Sequence, residues 1–189
     1  MSKILKATRF GNPILRQVAR QLTLHEIKSE STRALIQNIR HTLERKKYGV
    51  GMAAPQVGVG IALSVIAIKP TPNRPEVEPF EMVIINPVIT DTYGHRVQMW
   101  EGCISCGTGK DTLFAKVPRY RKIKLHWFDE SAVEHEDVLE SFASHVVQHE
   151  VDHLNGIVFV DRVKDTSTYM MADEYRKRII LPQIKKAET

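Results

Sequence analysis

His149-Glu150-Val151-Asp152-His153 sets two histidines four residues apart with a glutamate between them. The surrounding segment reads as helix, and residues four apart on a helix project from the same face. Two imidazoles so placed can grip one metal ion. Glu150 stands beside them as a carboxylate able to take a proton from water held there. Metal-assisted hydrolysis is the chemistry this pattern points to. The competing explanation is a charged helix that carries two histidines for no chemical reason, so other segments have to decide.

Two histidines leave a catalytic metal short of a ligand, because such sites take three protein ligands and keep one position open. Cys103, in Glu101-Gly102-Cys103-Ile104-Ser105, offers a thiolate, and the flanking glycine lets backbone approach a metal or substrate closely. Taken alone, Cys103 reads more readily as a buried core cysteine. The third segment is Gly49-Val50-Gly51-Met52-Ala53-Ala54-Pro55-Gln56. Its small residues leave backbone bare, so a peptide could lie against it and pair with its amides. Gln56 adds an amide donor for a developing oxyanion. By itself this segment reads as a glycine-rich turn with two tightly packed alanines.

The elements that must position these groups follow from hydrophobic spacing. From Ser31 to Tyr48 the pattern is helical: Leu35, Ile36, Ile39 and Leu43 recur on one side, with Arg40, Glu44 and Lys47 on the other. Ser31 is the expected N-cap and Gly49 the stop. Ile61 to Ile68 reads as a buried strand. Residues 70–79 hold four prolines and read as a loop. Val83-Ile84-Ile85 begins a strand that Pro87 ends or places at an edge. Strand-like pieces follow around Val97–Trp100, Lys122–Trp127 and Val133–Leu139, with a hairpin turn at Asp129-Glu130-Ser131. Helix resumes from about Glu140 to Leu154 and stops at Asn155-Gly156. A short strand, Ile157 to Val160, is expected next. The final helix spans about 167–187 and is interrupted by Pro182. The expected architecture is a single α+β domain over residues 1–189, with antiparallel strands packed around a central metal-binding helix and flanking N- and C-terminal helices.

Composition narrows the class. Of 189 residues, 42% are hydrophobic and 26% charged, ordinary for a soluble globular protein. The net charge of +5 weakly favours an anionic surface such as RNA or the ribosome. The two cysteines, Cys103 and Cys106, are too close to staple a secreted fold, and a reducing compartment fits better. The first nine residues are broken by charges and lack the apolar stretch of a signal peptide. The apolar run near Ile61 to Ile68 is too short to span a bilayer. A cytoplasmic protein, or the mature form of an organellar one, is expected, with no membrane partner.

Taken together, G-x-G-x-A-A-x-Q at Gly49 to Gln56, E-G-C-x-S at Glu101 to Ser105 and Q-H-E-x-D-H at Gln148 to His153 resemble the three signature motifs of the peptide deformylases. The resemblance extends through Asn12-Pro13-Ile14-Leu15-Arg16 and Val117-Pro118-Arg119, to about residue 165. It implies that Cys103, His149 and His153 are the metal ligands. The implied metal is ferrous iron, with zinc, nickel or cobalt able to substitute. Glu150 is then general base and acid, and the Gln56 side chain and Ile104 backbone N–H hold the oxyanion. Glu101 fixes the cysteine loop. Asp152 either hydrogen-bonds nearby groups or is solvated. The implied substrate is a nascent chain beginning with N-formylmethionine, and the products are formate and a free amino terminus. Val50, His145, Val146 and His149 are candidates for the wall or rim of the methionine pocket. Backbone at Val50, Gly51 and Gly102 would pair with the peptide. The family pattern also implies a monomer working beside the ribosome.

One segment departs from that pattern. The family commonly follows E-G-C-x-S with an apolar residue, proline and often glycine; here Cys106-Gly107-Thr108-Gly109-Lys110-Asp111 follows, a longer loop beside the expected groove. It creates a C-x-x-C spacing with three readings: Cys106 as a loop thiol, as a disulfide partner of Cys103, or as the fourth ligand of a closed zinc site. His145, one turn before His149, is a packing or pocket-rim residue or a further ligand. Arg176, Lys177, Arg178, Lys185 and Lys186 form either a ribosome-facing helix or a solvated face. Two rival functions remain open at this point: an H-E-x-x-H metallopeptidase cutting internal bonds, and a non-catalytic zinc-stabilised module associated with the ribosome.

Overall fold

The computed structural model describes residues 2–46, 49–71 and 76–187, the side chains of 185–187 excepted. Helix α1, Leu24–Ile27, starts with a capping box in which Thr23 and Glu26 satisfy each other's backbone N–H groups. Helix α2, Glu30–Arg45, buries Ile36, Ile39 and Leu43 along one stripe, as their spacing requires. Its cap is Ser29 rather than the expected Ser31, because the Ser29 hydroxyl takes the Thr32 N–H at 3.2 Å. The helix ends at Arg45, ahead of Gly49. Lys47 and Tyr48, expected in its last turn, lie outside the described residues, as do Pro72 and Pro75 of the proline-rich loop.

Five antiparallel strands follow in spatial order: β1 Gly51–Ala53, β2 Leu63–Ile68, β3 Phe80–Gly102, β4 Leu113–Phe128 and β5 Glu134–Glu140. The pieces read at Val83–Ile85 and Val97–Trp100 are parts of one long strand, β3, and Lys122–Trp127 is part of β4. The two pair from Ile85↔Phe128 to Gly102↔Phe114 with shifts in register along the way, and Val133–Leu139 falls largely on β5. Pro87 does not end β3. A register irregularity between Ile85 and Val88 steps over it, so its missing N–H costs the ladder nothing. The Asp129 side chain closes the expected hairpin turn by accepting the N–H groups of Ser131 and Val133.

Alternation along β2 builds two core layers. Leu63 and Val65 face α2 together with Val83 and Ile85. Ile66 and Ile68 face the opposite way with Ile84, Ile123 and Leu125, against Val146, Val147 and Val151 of helix α3, Ser141–Leu154. Helix α3 therefore lies buried on the sheet, and Gly156, at φ 72°, ends it as expected.

Two expectations fail near the C-terminus. Ile157 to Val160 is not a strand: the Asp161 carboxylate takes the Val158 N–H at 2.9 Å and winds Phe159–Arg162 into a 3-10 turn. The last segment is not one helix from residue 167. A 3-10 turn at Thr166–Thr168 leads into strand β6, Met170–Met171, which pairs with β4. Helix α4, Ala172–Tyr175, then runs through a widened π turn, Arg176–Ile180, into helix α5, Leu181–Ala187. The π turn comes just before Pro182, whose missing N–H breaks the regular ladder, so the expected interruption takes the form of a widened turn within a continuing helix. Among the described residues, no helix is long and apolar enough to cross a membrane.

Candidate metal centre

Helix α3 carries His149 and His153 one turn apart, their ring centroids separated by 4.9 Å. Strand β3 ends at Gly102 and delivers Cys103 to the same point. A 3-10 turn, Ile104–Cys106, follows it, and the Ser105 N–H donates to the Cys103 sulfur. One ligand atom each from Cys103, His149 and His153 fall within 4.8 Å of one another. The Cys103 Sγ lies 3.2 Å from His153 Nε2. Donors bound to one tetrahedral ion stand about 3–4 Å apart, so a thiolate and two imidazoles so placed fit a single transition-metal ion and leave a fourth position free. Neither Cys106 nor His145 belongs to this group.

Glu101 and His149 share a hydrogen bond of 2.7 Å between Oε2 and Nδ1, which directs the other ring nitrogen toward the ligand cluster. Arg119 grips the same carboxylate, its Nε 2.7 Å from Oε1 and its Nη2 3.0 Å from Oε2. His145 Nε2 also lies 2.8 Å from Oε1, at an angle outside hydrogen-bond geometry. His145 is thus buried against Glu101 rather than exposed on a rim. Arg119 continues to Asp152, which also holds Arg162 at 2.7 Å. Asp152 is therefore paired, not solvated. Burial pushes the Glu101 carboxyl up, but its His145, His149 and Arg119 neighbours outweigh this and hold it well below the usual range.

Glu150 is fully buried, and among the described residues its Oε2 has no hydrogen-bond partner. Burial raises its carboxyl to about 6, against the pull of His149 and His153. Gly51 makes room for it: a Cβ there would stand 2.8 Å from the Glu150 carboxyl carbon. Gln56 lies in a 3-10 turn, Ala54–Val57, and is oriented by the end of β1 just before it. Its Oε1 accepts the Ala53 N–H at 2.8 Å, and its Nε2 then points at the Cys103 sulfur, 3.2 Å away. The Cys106 thiol donates to the Cys103 sulfur, which lowers the Cys103 pKa and raises its own. Cys106 otherwise packs partly buried near Leu15, Val117 and Phe159.

The structure thus gathers Cys103, His149, His153, Glu150, Gln56 and Gly51. Ile104 directly follows the thiolate, and Gly102 directly precedes it. Val146 is buried, and Val50 packs in the same cluster. The motifs alone give no role to Arg119 or Arg162. The first left a signal: Ala115, Val117 and Arg119 alternate on the inward face of β4, so a charged residue falls on a core position. Arg162 left none.

Fold and site together define a class: hydrolases in which an H-E-x-x-H helix lies on an antiparallel sheet and a strand-end cysteine supplies the third metal donor. The family model described as polypeptide deformylase matches residues 4–169. The peptide deformylase of Leptospira biflexa is 38% identical over 170 residues, covering 88% of this chain and 91% of that one. Peptide deformylase 1 of Prochlorococcus marinus is 33% identical over 182 residues, covering 95% and 91%. The Met-Ala-Ser-bound crystal structure of the class I type b peptide deformylase from Acinetobacter baumannii superposes with a TM-score of 0.80 at 31% identity, over 86% of this chain and all of that one. This chain belongs to the peptide deformylase family, enzymes that remove the formyl group from nascent peptides.

Proposed function

We propose that the chain deformylates N-formylmethionine peptides with Cys103, His149 and His153 as metal ligands and Glu150 as the proton carrier. The observation that carries this is the three-donor cluster within 4.8 Å, with the unpartnered Glu150 carboxylate buried beside it. A divalent cation held by these donors supplies Lewis-acid polarisation and lowers the pKa of water. Ferrous iron is the metal of this reading, with zinc, nickel and cobalt as substitutes; the family resemblance and the mixed sulfur and nitrogen donor set support it.

The chain's own residues account for the rest. Glu150 takes a proton from the attacking water and returns it to the leaving amine, a transfer favoured by a carboxyl raised to about 6. Gln56 Nε2 and the Ile104 N–H donate to the oxygen on which negative charge develops. Glu101 holds His149 in one orientation. The peptide lies along Val50, Gly51 and Gly102 as an added strand, a placement supported by the position of β1 at the end of the strand order. Val50, Val146 and His149 wall the methionine pocket, and His145, buried against Glu101, backs that wall. Formate and a free amino terminus leave.

The chain works as one domain and as a cytoplasmic monomer in this reading. Exposed Arg176, Lys177 and Arg178 and the net charge of +5 support ribosome contact through the C-terminal helix. The third donor, a cysteine, sets the site apart from the rival metallopeptidase, whose usual third ligand is histidine or glutamate. The place of Cys106 outside the ligand cluster counts against a closed zinc module.

The test is formate release from a formyl-Met-Ala-Ser peptide by anaerobically prepared protein loaded with ferrous iron or nickel. Release by the native chain and not by Glu150→Ala is expected. No release at full metal occupancy would overturn the reading.

A further inference from the structure

The C-terminal segment is built into the wall beside the metal ligand. Strand β6 pairs with the start of β4, Leu113↔Met171 and Phe114↔Met170, and α4 then lays Tyr175 on the outer face of the β3–β4 ribbon. The Tyr175 ring stacks on Phe114, with centroids 4.3 Å apart and planes 6° from parallel. Trp100 closes the cluster at 5.3 Å from Tyr175, tilted by 57°. Lys116 Nζ lies 5.5 Å from the Trp100 ring centre.

Alternation decides what this cluster touches. Trp100 and Gly102 share one face of β3, while Glu101 between them points the other way, to Arg119 and His149. Phe114 is the cross-strand partner of Gly102. Its ring occupies the place of a Gly102 side chain: a Cβ there would be 2.7 Å from Phe114 Cε1 and 2.8 Å from Cζ. The ring therefore bears directly on Gly102 backbone, one residue before Cys103.

We infer that Tyr175 is a positioning residue: by clamping Phe114 onto Gly102, it fixes the backbone from Glu101 to Cys103 on which the peptide and the metal both depend. This rests on the roles proposed above for Gly102 and Cys103. Removing the Tyr175 ring frees Phe114 to move off Gly102. The Gly102 amide loses its fixed orientation toward the peptide, and the Cys103 sulfur its fixed position. Aromatic stacking acts through ring area and plane, so phenylalanine can replace tyrosine here and alanine cannot.

The experiment compares the native chain with Tyr175→Ala and Tyr175→Phe. It reads KM and kcat on formyl-Met-Ala-Ser, and the thiolate-to-metal absorption band of the cobalt-substituted proteins. Tyr175→Ala should raise KM by about five- to tenfold, change kcat less, and shift the cobalt band; Tyr175→Phe should restore both. If Tyr175→Ala does not fold, Tyr175→Leu, which keeps bulk and loses the ring, is read in the same way. An unchanged KM and cobalt band in the alanine or leucine variant overturns the inference. Equal losses in alanine and phenylalanine variants also overturn it, because the hydroxyl would then be acting rather than the stack. If the native chain releases no formate, the proposed function fails separately, and the cobalt band alone decides the role of Tyr175.

Discussion

Glu101 Oε2 and His149 Nδ1 meet at 2.7 Å, and the Glu101 carboxylate is at the same time gripped by Arg119 through both of its oxygens. One buried carboxylate therefore orients a histidine of the Cys103–His149–His153 cluster and neutralises a buried guanidinium. Its removal should do two separable kinds of damage.

Glu101→Gln keeps the shape and an acceptor but loses the charge. Weakening the partner of a metal-ligating histidine typically costs 10–100-fold in metal affinity, and a loss of about that size is expected in competition with a chelator. Glu101→Ala should do more, because Arg119 keeps only Asp152 as an ion-pair partner among the described residues. Breaking a buried pair costs about 3–5 kcal/mol, so denaturant unfolding should show a loss approaching that range. A stability for Glu101→Ala within about 1 kcal/mol of native would contradict the network described here.

Gly51→Ala tests the cradle around Glu150. The new Cβ would press on the Glu150 carboxyl carbon at 2.8 Å, and the carboxylate has to shift. Misplacement by about 1 Å can cost 100-fold in rate. A fall in kcat of roughly 10–100-fold is expected while the metal content stays at one ion per chain, read by elemental analysis beside steady-state kinetics.

Glu150 also gives a pH-dependent stability whose sign can be worked out. Its carboxyl is raised from 4.5 to about 6 in the metal-free fold, chiefly by burial. Between those values the folded chain holds the proton more tightly than the unfolded chain. The stabilisation from this group is full below 4.5, falls as pH rises, and is gone above about 6. Glu150→Gln removes the buried charge. Metal-free Glu150→Gln should be more stable than metal-free native protein at pH 7.5 by about 2 kcal/mol, with little difference at pH 4. Urea unfolding of both proteins at the two pH values checks this. Deformylation by the variant should fall by about 100-fold or more.

Cys103→Ser and Cys106→Ser should separate cleanly. Cys103 is one of the three clustered residues that could hold a metal ion, and Cys106 lies outside that cluster. Cys106→Ser should bind one metal per chain and retain activity within about threefold, since the serine hydroxyl can still donate to the Cys103 sulfur. Cys103→Ser should lose metal on gel filtration. Loss of metal from Cys106→Ser would instead indicate a closed four-ligand site.

His149, Glu150 and His153 were legible because the helical repeat is a local property: spacing by four puts both imidazoles on one face wherever the helix lies. The stripe of α2 and the glycine that ends α3 were legible for the same reason. Cys103 and Gln56 were not legible from spacing. They stand 47 residues apart, and only resemblance linked them; the turn after β1 and the end of β3 bring them to 3.2 Å. The Glu101–Arg119–Asp152–Arg162 chain, the passage of β3 over Pro87 and the stacking of Tyr175 on Phe114 needed tertiary structure altogether. Strand register and helix placement select those partners, and neither is encoded within any one segment. The sequence by itself determined which side chains could bind a metal and carry a proton. The fold decided which charges neutralise one another around them, because burying a guanidinium obliges the surrounding elements to supply its carboxylates.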